Sequence, residues 1–427
     1  MLQYQTLNIG RTPVLLYPME HVESVSLGLW FRVGSRYESS KLHGAAHFLE
    51  HMLFKGTKRR SSLQISESVE SVGGDLNAFT TEEMTCYYAR VGSDYLPQVL
   101  DVLFDMVQES VFSAAEFERE RGVIQEELRM YDDQPQVVVG ELLQNRIWVR
   151  NSLGRPVAGT LKTIAKLQRS ELVTFWKNNY HPGSMVISLA GEIDVPCVMN
   201  LVKRLSSKPG GSARSSRWNP VNATGRRHVE VAAESRPVQQ ANLALGARGF
   251  SRQDARRFAQ KVLSVLLGEN SSSRLFQSIR EKHGLAYSVQ SSITQFHETG
   301  ALSVQMGLDS AQVPAALKLL AKELQRTIKK RPTTGELQRA KDYAIGQLKL
   351  SLESTSNQMM WMGESMIGMG RIVQPREVVE SLRAVTAAEV QRIAADLFRP
   401  GRITLACISA DLKEAELKKM AACLDDL

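Results

Sequence analysis

The sequence predicts an α+β protein made of two tandem homologous modules, each an antiparallel-rich sheet with helices packed on one face. Two observations carry this prediction: a long internal repeat, and strand-like segments that come before helical ones in each copy. Residues 25–33, for example, have an apolar strand pattern, and such strands alternate with helical stretches along the chain. With 427 residues, the chain is long enough to give each module its own hydrophobic core.

The internal repeat is visible as three pairs of segments. They are residues 175–192 with 395–410, residues 93–107 with 310–324, and residues 114–128 with 334–348. The first pair has a helix end, a Pro-Gly turn and an apolar strand, and the second has a polar helix start with Pro in its first turn. In all three pairs the partners are separated by about 218 residues, so the chain is two copies of one module.

A segment between the copies has the composition of a flexible linker. Residues 206–217 are rich in Ser, Gly and Pro and show no apolar periodicity. The predicted domains are therefore 1–210 and 218–427. Within the second domain, the Met-rich stretch at 358–369 is predicted to be helical core, because apolar residues at this density in a helix are usually buried.

Composition argues against several classes of protein. Charged residues make up 23% and hydrophobic residues 43% of the chain, which are ordinary values for a globular protein. No segment approaches the roughly 18 to 20 consecutive apolar residues of a membrane span. The first twenty residues contain neither a signal-peptide pattern nor an Arg-rich leader, so we expect a bacterial-type cytoplasmic protein rather than one of the mitochondrial matrix. The net charge of +8 forms no basic block, so nucleic-acid binding is not predicted.

A five-residue motif in the first copy indicates metal chemistry. The segment HFLEH, from His47 to His51, lies in an apolar run that is compatible with a helix. On a helix the two histidines are four residues apart and share a face, so their imidazoles can converge on one metal ion. Glu50 lies beside them, and a carboxylate in that place can accept a proton from a metal-activated water.

A catalytic zinc ion usually has three protein ligands, so a third ligand is expected elsewhere in the chain. The predicted helix at 115–130 offers the acidic residues Glu116, Glu118, Glu120, Glu126 and Glu127. Glu120 and Glu127 are two helical turns apart and share a face, whereas Glu126 points about 100° away from Glu127. Spacing alone does not choose among them, and an exposed Glu on a helix is usually only solvated.

Three segments surround or accompany these residues: GAAHFLEHMLFKGT from Gly44, GGDLNAFTTEEMTCYY from Gly73 and ERERGVIQEEL from Glu118. They resemble the pitrilysin/insulinase-type zinc metallopeptidases, whose inverted zinc motif is HxxEH. The likeness covers both copies and is greatest to the short bacterial members and the catalytic subunit of the mitochondrial processing peptidase. It implies that His47, His51 and Glu127 hold one Zn²⁺ ion per chain. It also implies that Glu50 is the general base and Glu120 an auxiliary acidic residue in catalysis.

The same resemblance implies a substrate site in two parts. Asn77, Ala78 and Phe79 match an edge strand on which family members bind an extended peptide by strand addition. In the second copy, Arg280 and Tyr287 match an R-x6-Y element that donates hydrogen bonds to the peptide and the developing oxyanion. The structural alternatives are an ordinary hairpin strand, a structural Arg and a core Tyr.

The second copy lacks metal ligands. Ser264, Leu267 and Gly268 occupy the positions of His47, Glu50 and His51, and Gln347 occupies the position of Glu127.

The resemblance implies a zinc-dependent endopeptidase that hydrolyses extended or unstructured peptides. One chain supplies half of the four-module clamshell of longer relatives, so we expect a homodimer in which the Arg/Tyr pair serves the partner's zinc. A heterodimer with a related subunit, and action of the pair within one chain, are alternatives. A non-catalytic scaffold or assembly subunit of the same fold is the alternative function.

Overall fold

A computed structural model of the chain describes residues 4–206, 218–221 and 226–427. These residues form two compact units, each with one β-sheet, and the predicted α+β class with two modules is confirmed. The first unit is drawn from Met1–Arg129, Arg155–Trp218 and Leu350–Val373, and the second from Met130–Gly154, Asn219–Lys349 and Gln374–Leu427. Apart from Ser206, the predicted linker at 206–217 lies outside the described residues.

Both sheets are mainly antiparallel. The first contains β1 (Gln5–Ile9), β2 (Thr12–Pro18), β3 (Ser24–Phe31), β4 (Asp75–Thr80), β5 (Thr85–Gly92) and β6 (Met185–Gly191), in the order β1-β2-β6-β3-β5-β4. The second contains β7 (Glu230–Ser235), β8 (Ala241–Gly249), β9 (Ala286–Gln295), β10 (Gly300–Leu308) and β11 (Ile403–Ser409), in the order β7-β11-β8-β10-β9. In each sheet one pair of strands is parallel, β2 with β6 and β7 with β11.

The helices of the described residues follow in chain order. They are α1 (Ala45–Leu53), α2 (Ser62–Glu70), α3 (Leu96–Glu109), α4 (Ala114–Asp132), α5 (Pro135–Ile147), α6 (Leu161–Lys166), α7 (Arg169–Asn179), α8 (Val195–Leu205), α9 (Arg257–Gly268), α10 (Val313–Lys329), α11 (Thr334–Ser351), α12 (Thr355–Met369), α13 (Pro375–Ala384), α14 (Ala387–Leu397) and α15 (Glu414–Asp425). None of these helices is both long enough and apolar enough to cross a membrane.

The main core of the first unit lies between one face of its sheet and the helices α1, α3 and α4. Leu27, Leu29 and Phe31 of β3 point into this core, whereas Trp30 points to the opposite face of the sheet. That opposite face is also covered, because Met359 and Met362 of α12 pack against Trp30. The Met-rich stretch is therefore part of the core, as predicted, and it covers the second face of the sheet in the first unit.

The second unit repeats this arrangement with a helix from the other half of the sequence. Leu143 and Ile147 of α5 pack against the face of the second sheet that carries Ala244 and Ala406. Each half of the chain thus contributes one helix to the other unit, and the compact units differ in this respect from the predicted domains 1–210 and 218–427. The prediction of helices on one face holds for most helices, while α5 and α12 cover the opposite faces because both faces of each sheet are apolar.

The packing of α12 on the first sheet gives a stability prediction. A Cβ atom at Gly363 would lie 2.0 Å from Cε2 of Trp30, whose Nε1 donates a hydrogen bond to Ser188 Oγ at 2.7 Å. We expect Gly363→Ala to destabilise the protein by about 3 kcal/mol through overpacking. Gly346→Ala in α11 is the control, because its Cβ would meet nothing within 4 Å and should stabilise the protein by about 0.5 to 1 kcal/mol. Denaturant unfolding of the full chain measures both, and equal effects would contradict the prediction.

Candidate metal centre and active site

The helix α1 carries the HxxEH residues on its polar face. Its buried residues are Ala45, Ala46, Phe48, Leu49, Met52 and Leu53. His47, Glu50 and His51 occupy the remaining face and are half-buried. The predicted helix is present, and the i, i+3, i+4 spacing turns all three side chains to the same side because the rest of the helix is held in the core.

The buried carboxylate of Glu38 fixes where α1 begins. Its two oxygens accept hydrogen bonds from the backbone N–H groups of Gly44, at 2.8 Å, and Ala46, at 2.6 Å. The first N–H groups of a helix have no partner within the helix, and this carboxyl group satisfies two of them. Burial raises the pKa of Glu38 to about 8, although the two N–H groups and Arg155 act in the opposite direction. Glu38 thereby sets the position of His47, the residue that follows Ala46.

The long helix α4 brings an acidic side chain to the histidines. Phe117 of α4 stacks on Phe48 of α1, with ring centroids 4.7 Å apart and an angle of 16° between the rings. Glu120 is buried on the same face of α4, and Glu127 follows it two turns later. The side chain of Glu127 is 22% exposed, whereas that of Glu126 is 74% exposed. The structure therefore resolves what spacing left open, since Glu127 and not Glu126 faces α1.

His47, His51 and Glu127 are the one group of three or more potential metal ligands found within residues 4–206, 218–221 and 226–427. One ligand atom from each lies within 4.8 Å of the other two. Oε2 of Glu127 is 3.7 Å from Nε2 of His47 and 3.5 Å from Nε2 of His51. Two imidazole nitrogens and one carboxylate oxygen are a donor set typical of catalytic zinc. The residues present fit that ion.

Two further side chains support His51 from its other nitrogen. Nδ1 of His51 lies 3.2 Å from Oε2 of Glu120, and Nζ of Lys55 lies 2.9 Å from Oε1 of the same carboxylate. A carboxylate bonded to the second nitrogen of a ligating imidazole fixes the orientation of the ring. Lys55 in turn balances the charge of Glu120, whose side chain is almost fully buried. Glu120 therefore contacts His51 but lies outside the group formed by His47, His51 and Glu127.

The electrostatics of the cluster suit a cation. Burial lowers the pKa of His47 to about 4, and the neighbouring His51 adds to this effect. Burial also acts to lower the pKa of His51, but its hydrogen bonds to Glu120 and Glu127 outweigh burial and raise this pKa to about 9. Burial raises the pKa of Glu50. The carboxyl groups of Glu50, Glu120 and Glu127 thus surround the two imidazoles in a partly buried site. A divalent cation bound there would offset the repulsion between these negative charges.

The edge strand β4 runs to the polar face of α1. Its last residue, Thr80, donates a hydrogen bond from Oγ1 to Oε2 of Glu50 at 2.5 Å. The strand pairs with β5 on one side, and no other strand of the described residues pairs with its second side. A free backbone edge therefore leads directly to the HxxEH helix.

The three predicted peptide-binding residues lie on this edge strand. Asn77 is exposed, and its Oδ1 accepts a hydrogen bond from the backbone N–H of Ala78 at 2.8 Å. The ring of Phe79 packs edge-to-face on Trp30, with centroids 5.7 Å apart. The side chain of Phe79 therefore packs against the sheet, so Phe79 would contact a peptide through its backbone groups.

The predicted Arg/Tyr element lies in the second unit. Arg280 belongs to a π-helical segment, Phe276–Lys282, and Tyr287 is the second residue of β9. Cζ of Arg280 lies 5.2 Å from the ring centroid of Tyr287 and 4.7 Å from that of Phe276. Tyr287 is 79% exposed, so it is a surface residue and not a core tyrosine. The two side chains are in contact and face solvent together.

Three residues around the HxxEH helix were not predicted: Glu38, Lys55 and Thr80. Lys55 and Thr80 lie inside the segments that resemble the zinc metallopeptidases, but spacing gives no sign of their contacts with Glu120 and Glu50. Their roles depend on distances between elements that are far apart in the chain. Only for Glu38 does the sequence offer a local signal, because an acidic residue shortly before a predicted helix can cap the start of that helix.

The sequence is similar to known proteins over most of its length. Residues 14–161 match the insulinase (peptidase family M16) domain, and residues 166–343 match the peptidase M16 inactive domain. An uncharacterized zinc protease of Streptomyces coelicolor is 36% identical over 96% of this chain and 90% of its own length. Another uncharacterized zinc protease, from Bacillus subtilis, is 35% identical over 88% of this chain and 91% of its own length.

Solved structures share the fold at lower sequence identity. A protease from Helicobacter pylori superposes with a TM-score of 0.89 at 20% identity, over 96% of this chain and 99% of the other. A peptidase M16 inactive domain protein from Pseudomonas fluorescens gives a TM-score of 0.86 at 19% identity, over 97% of this chain and 99% of the other. At this identity the likeness shows the common two-sheet fold.

Proposed function

Because the chain belongs to the M16 (insulinase) peptidase family, we propose that it is a zinc-dependent endopeptidase that hydrolyses extended or unstructured peptides. The observation that carries the proposal is the convergence of His47, His51 and Glu127 within 4.8 Å, with Glu50 on the same helix face. These three side chains would hold one zinc ion per chain. When bound, zinc supplies Lewis-acid chemistry, lowering the pKa of a water and polarising a carbonyl.

The chain's own residues would supply the remaining steps. Glu50 would take a proton from the attacking water on a carboxylate oxygen and pass it to the leaving amine. Glu120 would keep the ring of His51 in its ligating orientation. Arg280 and Tyr287 would donate hydrogen bonds to a peptide bound at the zinc site of a second copy of the chain, and to the oxyanion that develops on its carbonyl.

The substrate class follows from the edge strand. A peptide that pairs with Asn77, Ala78 and Phe79 on β4 would bind mainly through backbone hydrogen bonds, which demand an extended chain but little sequence. Its path along β4 would lead to Thr80 and Glu50, where hydrolysis would take place. Most strands of a folded protein are already paired with their neighbours, so the proposal is for unstructured peptides.

A non-catalytic scaffold of the same family is the competing function. A scaffold has no need for three converging ligands with a buried carboxylate behind one of them, so the geometry favours the peptidase. Zinc content and cleavage of a fluorogenic peptide by the purified full chain, before and after chelation, separate the two. A chain that binds no zinc and cleaves nothing would support the scaffold.

We also propose that the chain works as a homodimer in which Arg280 and Tyr287 serve the zinc site of the partner subunit. A mixture of Glu50→Gln and Arg280→Ala chains, each inactive alone, should then recover activity, because one site of each mixed dimer has all its residues. Random pairing would give about a quarter of wild-type activity. A mixture of Glu50→Gln and His47→Ala chains is the control, since both lesions fall in the same half of the site and no activity should return. Failure of the first mixture to recover any activity would contradict action on the partner.

A further inference from the structure

The hydroxyl group of Thr80 makes a contact that the proposed reaction has not used. Its Oγ1 lies 2.5 Å from Oε2 of Glu50, and the two residues come from separate elements, the end of β4 and the middle of α1. Oε1 of Glu50 accepts no hydrogen bond from the residues that the structure describes. One carboxylate oxygen is therefore held by the edge strand, and the other is left open.

The direction of this hydrogen bond follows from counting protons. A Thr hydroxyl has one proton to donate, and an ionised carboxylate can only accept. The hydroxyl of Thr85 lies 3.4 Å from that of Thr80, but Thr85 donates its own proton to the backbone carbonyl of Val33 at 2.9 Å. The proton of Thr80 is therefore directed at Glu50.

We propose that Thr80 is a positioning residue for the general base: its hydroxyl holds Oε2 of Glu50 and thereby aims Oε1 at the water that Glu50 deprotonates. This inference rests on the proposed peptidase function. A hydrogen bond donated by a hydroxyl to one oxygen of a carboxylate restricts rotation of the group. Because Thr80 ends the strand that would bind the peptide, the same residue couples the substrate edge to the base.

The backbone of Thr80 does not depend on its hydroxyl. Thr80 pairs with Thr85 in the ladder between β4 and β5, and Val has the same shape and an equally high preference for strands. Thr80→Val therefore removes the hydrogen bond while it keeps the strand. Thr80→Ser keeps the hydroxyl while it removes the methyl group, so the two substitutions form a matched pair.

Steady-state hydrolysis of a fluorogenic peptide by the zinc-loaded full chain tests the inference. We expect Thr80→Val to lower kcat about 10- to 100-fold with little change in KM, because a hydrogen bond to a charged group is lost from the reacting site. Thr80→Ser should restore most of the lost kcat. Zinc content and unfolding temperature should stay at wild-type values in both variants. Full activity in Thr80→Val, or equal losses in both variants, would overturn the inference.

Crystal structures of the zinc-free variants give a second measurement that does not need activity. We expect the carboxylate of Glu50 to leave the end of β4 in Thr80→Val and to stay there in Thr80→Ser. An unmoved carboxylate in Thr80→Val would overturn the inference. If the wild-type chain itself shows no hydrolysis that depends on Glu50, the proposed function fails, and the two crystal structures alone decide whether Thr80 positions this side chain.

Discussion

Replacing Glu50 with Gln is expected to lower kcat for peptide hydrolysis by about 10³-fold or more while the chain keeps its zinc. Gln has nearly the shape of Glu and can still bond to the hydroxyl of Thr80, which lies 2.5 Å away, but it cannot accept the proton of the attacking water. The three ligand side chains are untouched by this change. Steady-state kinetics on a fluorogenic peptide, with zinc content measured on the same preparation, test this expectation.

The control for this experiment is the same substitution at an exposed position. Glu70 lies at the end of α2 with its side chain exposed, so Glu70→Gln should leave kcat and zinc content at wild-type values. If Glu50→Gln keeps wild-type kcat, Glu50 is not the general base. If it loses zinc along with activity, its effect is on the metal site and not on proton transfer.

Replacing Glu127 with Ala is expected to abolish zinc binding at concentrations that saturate the wild-type chain. The substitution removes one of three protein ligands and leaves only the two imidazoles. In the wild-type chain, Oε2 of Glu127 lies 3.7 Å from Nε2 of His47 and 3.5 Å from Nε2 of His51. Since the metal contributes several kcal/mol to the reaction, activity should fall by about 10³-fold or more. Zinc titration and peptide cleavage measure the two effects.

The neighbouring residue provides a matched control on the same helix. Glu126 is 74% exposed and forms an ion pair with Arg129, one helical turn away. Glu126→Ala should therefore keep both zinc and activity, with at most a small change in stability. The reverse result, zinc lost with Glu126→Ala and kept with Glu127→Ala, would assign the third ligand position to Glu126 and contradict the geometry described above.

The parts of the site that lie on one helix could be predicted from the sequence. The i, i+4 spacing of His47 and His51 places them on a common face once the segment is helical, and the apolar run around them is compatible with a helix. The two copies of the fold could also be predicted, because the same order of helix end, turn and strand recurs in both halves of the sequence.

The parts that depend on packing between distant segments could not be predicted. A repeat shows which segments correspond, but not that α5 and α12 leave their own half to cover the sheet of the other. Spacing on α4 did not distinguish Glu126 from Glu127, and only the resemblance selected Glu127; in the structure, the stacking of Phe117 on Phe48 sets which face of α4 meets α1. Thr80 and Lys55 act through single contacts at 2.5 and 2.9 Å, which no local pattern encodes.

The dependence of peptide cleavage on zinc tests the proposed chemistry most directly. The purified full chain would be stripped of metal, reconstituted with increasing amounts of zinc, and incubated with a mixed library of unstructured peptides. The convergence of His47, His51 and Glu127 predicts no cleavage without metal, and cleavage that rises with zinc and saturates at one ion per chain. Cleavage by the metal-free chain at the same rate, or none by the zinc-saturated chain, would contradict it.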